Sequence, residues 1–495
     1  MPKTYSSDLF DLIHALSKSE KRFFKLYSAK SNSNDNKQYI KLFDTIDYQK
    51  KYNEEKIIKK VPEIKKFSVV KNQLYNLILK SISILHQEKR LSLNIRNKLD
   101  YIDILYHKGL YSQCEKLLIK SKKQAQKAEL FEILLSIQKV EIKLLMGIRN
   151  FKNIESYQLK IANLQKERAS ISNKIQNIQN YFELYFPLTV LFHEGSRYSI
   201  QEKKKVIKET MTSPFLLDES KALSGLAKAT FHMTWSMYYF LIKESEKAYA
   251  HAKKRLNILQ EHPHLIEDSL IDYLNNIKFV SRLAIEENEY VEALTWIGLI
   301  QSEIDDFSKI VDIGIKSHFS YQIHIAKMDL FFHEKQWDDI IRYYEDIKSD
   351  LTINSQIENT VLLNIYFVLI QAYFFSNLQH KALKYINLIL NIKFSGINSD
   401  KHRIIQFINI LVHYELKNYD LLDYVIKSYQ RANRKDTFND NIDFLTCQLL
   451  SQKINSQKIA DKTLTKIKSS LNTQDNNNHF LELFDLNLWI KNLKY

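Results

Sequence analysis

The sequence predicts an all-α protein, and three observations carry that expectation. Glycine and proline together supply only 12 of the 495 residues (7 Gly, 5 Pro), where ordinary usage would place about 59. Hairpins and sandwiches need turn residues that accept positive φ, so the chain has little material for either. Apolar content of 45%, with 12% aromatic, is ample for a packed interior and argues against disorder. From about residue 92 onward, apolar residues recur with helical period in paired segments separated by a short break that carries an aromatic.

Residues 1–90 read as a small basic helical domain of about five shorter helices. Asn53 to Lys60 has the pattern of a capped short helix, Val61 to Lys65 of a turn containing Pro62, and Phe67 to about Gln87 of a longer helix. On that longer helix Val70, Leu74, Leu77 and Ile78 form an apolar face. Ser68, Lys71, Asn72 and Tyr75 fall at i, i+3, i+4, i+7 on another. This spacing suits a helix-turn-helix reader of nucleic acid, with Lys59, Lys60, Lys65 and Lys66 on the phosphates. The turn is longer than the usual three to four residues, and a capping helix with a solvated face accounts for the same side chains.

Residues 91–495 repeat a helical hairpin. Its anchors are Tyr111, Phe151, Tyr198, Tyr290, Trp337 and Tyr419, spaced 40, 47, 92, 47 and 82 apart. The two wide gaps each hide a degenerate copy, near Glu246 and Gln379, so the mean period is about 44. One hairpin cannot bury its apolar stripe alone, whereas stacked neighbours cover each other. The expected architecture is therefore an α-solenoid of about eight to nine stacked hairpins behind the N-terminal domain; the competing one is a non-repetitive bundle of long antiparallel helices. Polar stretches at 31–38, 211–220, 394–402 and 472–479 read as loops in which asparagine replaces glycine.

These units resemble tetratricopeptide-like helical hairpins over about four fifths of the chain. That family places a small residue two positions before the aromatic and an alanine three positions after it. Gly109, Tyr111 and Cys114 fit, as do Tyr290 with Ala293, and Ala248 and Ala382 in the degenerate copies; Ile154, Ile340 and Leu422 stand at the alanine position elsewhere. The period is longer than the family's roughly 34 residues. The resemblance implies that first helices of hairpins line a groove that binds a protein or peptide. Counting back from Tyr290 gives Asn275, Lys278 and Arg282 on one helix face, a set able to capture a carboxylate or an acidic segment. The same count gives Lys139 and Lys143 before Phe151, and Asn364 and Gln371 before Gln379.

Charge is uneven along the chain. Residues 1–90 hold 19 Lys/Arg against 10 Asp/Glu and residues 91–170 hold 15 against 8, whereas the remainder is near balance at 38 against 39. An acidic partner, nucleic acid included, is expected for the N-terminal third. Cys114 and Cys447 offer neither a disulfide framework nor metal-ligand spacing. The first residues, with Asp8 and Asp11 in their first apolar stretch, lack the apolar region of a secretion signal, so none is expected. The longest apolar run, Val361 to Phe375, is short of the roughly 20 residues that span a bilayer and reads as a buried helix. A reducing, cytoplasmic setting without membrane contact is expected.

Chemistry-bearing patterns are sparse. His193-Glu194 and His333-Glu334 lack the second histidine at i+4 that a zinc-protease helix needs. His262-Pro263-His264, with Glu267 nearby, offers two imidazoles in a loop but no evident fourth ligand. Glu63 has no partner acids, and the doublets Asp305-Asp306 and Asp338-Asp339 point in different directions on a helix. No local motif sets a histidine beside a serine or cysteine nucleophile. The expected protein is a non-catalytic adaptor or scaffold without cofactor or metal. The alternative is a nucleic-acid-associated regulator whose solenoid senses a partner.

Overall fold

The computed structural model describes residues 6–29, 34–87, 90–147, 154–194, 198–306, 313–353, 359–392, 399–433, 442–455, 463–465, 467–468 and 483–492. Among them every regular element is helical and none is a strand. The chain divides into two compact units, Met1–Ser320 and Tyr321–Tyr495.

The first unit opens with α1 (Asp8–Ala15), α2 (Lys18–Ala29), α3 (Asn34–Asp47), α4 (Glu54–Lys60) and α5 (Phe67–Gln87). The polar stretch expected as a loop at 31–38 is helical from Asn34 onward. Asn53 caps α4, its side chain accepting the Lys56 N–H at 2.9 Å, which satisfies one of the orphan donors of a helix start. These helices close a core around Leu9, Ile13, Phe24, Phe43, Ile57, Leu74 and Ile78, with Phe24 and Phe43 stacked at 4.8 Å. Truncating Phe43, which is fully buried, removes the centre of that core at a cost of about 3–5 kcal/mol.

The chain continues through α6 (Leu91–His107), α7 (Tyr111–Lys127), α8 (Phe131–Gly147), α9 (Ile154–Glu194), α10 (Ile200–Met211), α11 (Gly225–Leu241), α12 (Ser245–Glu261), α13 (Pro263–Asp268), α14 (Leu270–Glu286) and α15 (Tyr290–Asp306). Helix α16 (Ile313–His333) carries the chain into the second unit, which holds α17 (Trp337–Ile353), α18 (Asn359–Phe375), α19 (Gln379–Leu390), α20 (Ser399–Glu415), α21 (Tyr419–Ala432), α22 (Ile442–Asn455) and α23 (Leu486–Asn492). Packing follows chain order: α6 on α7, α7 on α8, α8 on α9, α11 on α12 and α14 on α15 in the first unit, and α17 on α18, α18 on α19, α19 on α20 and α20 on α21 in the second. Helix α18 is buried nearly all round, from Val361 to Phe374. Among the described residues no helix is long and apolar enough to cross a membrane.

One turn recurs. At Gly109, Glu129, Lys243, Asn288, Lys335, Asn377 and Lys417 the backbone is left-handed, with φ between 50 and 73°, and the next helix starts two residues later in each case. The residue after each closes a bond five residues back: Leu110 N–H to Leu105 O at 3.0 Å, Leu130 to Ala125 at 2.9 Å, Glu244 to Tyr239 at 2.9 Å, Glu289 to Ala284 at 2.8 Å, Gln336 to Phe331 at 2.9 Å, Leu378 to Tyr373 at 2.8 Å and Asn418 to His413 at 3.0 Å. This is the Schellman arrangement, which satisfies the last carbonyls of one helix while reversing the chain. The turn selects a backbone angle rather than a small side chain, so lysine fills it at three places and glycine at one. Three residues into the following helix, Cys114, Ala248, Ala293, Ile340, Ala382 and Leu422 are all fully buried.

The repeat fails along α9. Phe151 lies outside the described residues, and Ile154, at the expected contact position, is 68% exposed. From there α9 runs 41 residues without a hairpin, about 60 Å at 1.5 Å per residue. Its Ile171, Ile175 and Ile178 join the core of α6–α8. Tyr181 then packs with Leu216 and Phe231 and donates its hydroxyl to the Phe215 carbonyl at 3.0 Å. One helix thus serves two successive cores, which removes the need for a turn. The loop expected at 211–220 is present as two short 3-10 turns; that at 472–479 lies outside the described residues, and of 394–402 the described part is helical.

Candidate functional site

Helix α14 is squeezed between α12 and α15, and its sequence fits that position. Tyr273, Leu274, Asn276, Ile277, Phe279, Val280, Ser281, Leu283 and Ala284 are buried, leaving a narrow strip on which Asn275 and Lys278 are half-buried and Arg282 exposed. The three residues counted back from Tyr290 therefore share one solvent-facing strip.

Aromatic rings lie under the Arg282 end of the strip. Phe192 from α9, Phe240 from α11 and Phe279 of α14 meet edge to face, with centroids 5.3 to 6.1 Å apart. The Arg282 guanidinium lies over Phe240 at 4.9 Å and Phe192 at 5.9 Å, and its Nε donates to Glu286 Oε1 at 3.1 Å. Burial and then the Arg282 charge hold the Lys278 ammonium below its ordinary value. Two cations are thus kept adjacent on a partly desolvated surface, where an incoming carboxylate gains more than it would in water.

Three of the other four groove candidates are engaged or hidden. Lys139 is exposed on α8, but Lys143 pairs with Asp103 at 3.0 Å and covers the Tyr106 ring at 4.3 Å, holding α8 to α6. Asn364 accepts from Lys401 Nζ at 2.6 Å. Gln371 is fully buried inside the second unit, because α18 is covered on every side at that level, and it presents nothing to a ligand.

On α4–α5 the outcome is mixed. Lys59, Lys60, Lys65, Lys66, Ser68 and Asn72 are exposed. Lys71 is a clasp instead: its Nζ donates to Tyr52 Oη at 2.6 Å and Glu54 Oε2 at 3.0 Å, joining the α4 N-terminus to α5. Tyr75 packs against the N-terminal core. Helix α4 rests on α3, and α5 on α1, α2 and α3, so the polar face expected to enter a groove is partly spent on tertiary contacts. Glu63 pairs with Lys41 at 2.7 Å, Asp339 with Arg342 at 3.3 Å, and the side chains of His193 and Glu194 lie outside the described residues.

Among the described residues one group of three His, Cys, Asp or Glu side chains is close enough to share an ion: Glu129, His262 and His264. Glu267, the acid adjacent in sequence, is not part of it; Glu129 takes that place. No local signal could have found Glu129, since it reaches the histidines only through packing.

No protein-family model, curated protein or solved structure matches this chain.

Proposed function

We propose that this protein is a non-catalytic cytoplasmic adaptor or scaffold, an α-solenoid of tetratricopeptide-like hairpins that binds a protein or peptide partner through an acidic or carboxylate-bearing segment. The observation that carries this reading is the α14 strip, where Arg282 lies over the Phe240 and Phe192 rings and Lys278 is close enough to feel its charge. Support for stacked hairpins comes from the recurring Schellman turn and from packing that follows chain order. The test is affinity capture from native cytosol with nuclease treatment, comparing the wild-type chain with Lys278→Glu/Arg282→Glu. A stoichiometric partner retained by the wild type and lost by the variant, at unchanged helical circular dichroism, is the expected result. Equal retention by both rules the strip out.

A second reading is favoured by the exposed lysines of α4 and the following turn, beside Tyr48, which is 84% exposed with Lys60 Nζ 5.4 Å from its ring. Lysines flanking an open aromatic ring suit a nucleic-acid backbone and a stacked base. Fluorescence anisotropy with duplex and single-stranded probes would then show affinity falling steeply with salt, and absence of binding at low salt ends this reading.

A further inference from the structure

We propose that Glu129, His262 and His264 form a binding site for a divalent first-row transition ion, zinc above all. One carboxylate oxygen of Glu129 and one ring nitrogen of each histidine all lie within 4.8 Å of one another, and the three side chains are half-buried. Two neutral imidazoles and a carboxylate make a nitrogen-rich borderline donor set, which suits zinc and its neighbours and not calcium or magnesium, whose ligands are oxygens. Zinc–ligand bonds of about 2.1 Å in a tetrahedral site place ligand atoms roughly 3.4 Å apart. Side-chain rotations closing the widest pair by at most about 1.4 Å therefore complete three corners and leave the fourth to water.

The surroundings hold this set together. Glu129 stands in the left-handed turn between α7 and α8, and its Oε2 accepts the backbone N–H of Gly225 at 2.9 Å. Gly225 is also the platform for His262: a Cβ added there would come within 2.8 Å of the His262 ring. In a chain with only 7 glycines, one thus sits at the first position of α11, where a helix gains nothing from it, and its missing side chain is the space the imidazole fills. A hydrogen bond that orients a carboxylate and a surface that fixes a ring are the outer-shell supports that metal ligands ordinarily have. Pro263 is the first residue of the short helix that follows His262, and its fixed φ limits how far the two histidines can separate. The rings of His262 and His264 stand edge to face, 5.6 Å between centroids at 83°.

The test uses the untagged full chain, stripped with a chelator and titrated with zinc by calorimetry and, separately, with cobalt followed by visible absorption. The expected result is one ion per chain, with the intense cobalt bands of a four-coordinate site. Glu129→Gln and His264→Gln should each weaken zinc binding at least tenfold while helical circular dichroism is kept. His333→Gln, on the exposed end of α16, should leave it unchanged. Absence of a one-to-one ion, or unchanged affinity in either ligand variant, overturns the site; the wild-type cobalt spectrum decides the matter even if a variant fails to fold.

Discussion

Acidification from pH 7 to pH 5 is expected to loosen the α11–α12 pair through a buried histidine and its half-buried partner. His232, 2% exposed on α11, and His251 on α12 face each other with Nδ1 atoms 3.0 Å apart. One ring donates and the other accepts, so the contact is lost when both are protonated. Burial, then the charges of His232 and Lys254, hold the His251 imidazole down at about 4, against an ordinary 6.5. Burial also lowers His232, opposed by Glu219, whose carboxylate lies 3.3 Å from His232 Nε2. A base whose folded value is depressed contributes full stability above its unfolded value, and that contribution falls as pH drops from 6.5 towards 4. For His251 the linkage amounts to about 2 kcal/mol at pH 5. Its ring is only partly buried, lying against Trp235 and Tyr239, and solvent screening reduces the figure to about 1 kcal/mol. The assay is amide hydrogen exchange of α11 and α12 at both pH values, corrected for intrinsic chemistry. The wild type should open about fivefold more at pH 5, relative to His251→Gln, which keeps a hydrogen-bonding partner for His232 but does not titrate. An equal acid response in the two proteins would refute the argument.

Two further outcomes follow from burial. Asp443→Ala should destabilise α20–α22 by about 3–5 kcal/mol, because it removes the carboxylate that both the Arg403 guanidinium, 2.8 Å from Asp443 Oδ2, and the Tyr429 hydroxyl bond, in a site where the carboxylate is 2% and the arginine 20% exposed. Asp423→Ala, which breaks the exposed Lys427 pair on α21, should cost under about 1 kcal/mol, and hydrogen exchange distinguishes the two. Cys114 and Cys447 are free and buried, and burial pushes both thiols up, so a thiol-specific chromogenic reagent should label neither until denaturant is added; rapid labelling of the native chain would contradict their placement.

Helix positions and turn positions were legible in the sequence because both are set by contacts a few residues apart. Asn53 capping α4, the apolar run of α18 and the aromatic-marked starts at Tyr111, Tyr290, Trp337 and Tyr419 follow from bonds spanning three to five residues, and such bonds leave a period in the chain. The Asn275–Lys278–Arg282 strip was readable for the same reason: residues at i, i+3 and i+7 share a face whatever surrounds the helix. The phenylalanine rings under Arg282 were not, since Phe192 and Phe240 come from other helices. Local pattern failed at α9, where a single long helix serving two cores makes a hairpin unnecessary. It failed again at Gln371 and Lys71, polar residues at open-looking positions that neighbouring helices bury or clasp. Which face of a helix meets solvent, and which distant carboxylate meets two histidines, depends on how helices pack against one another. Spacing along one helix carries no information about that: contacts a few residues apart set where most helices and turns fall, whereas packing between helices sets which side chains stay open to solvent.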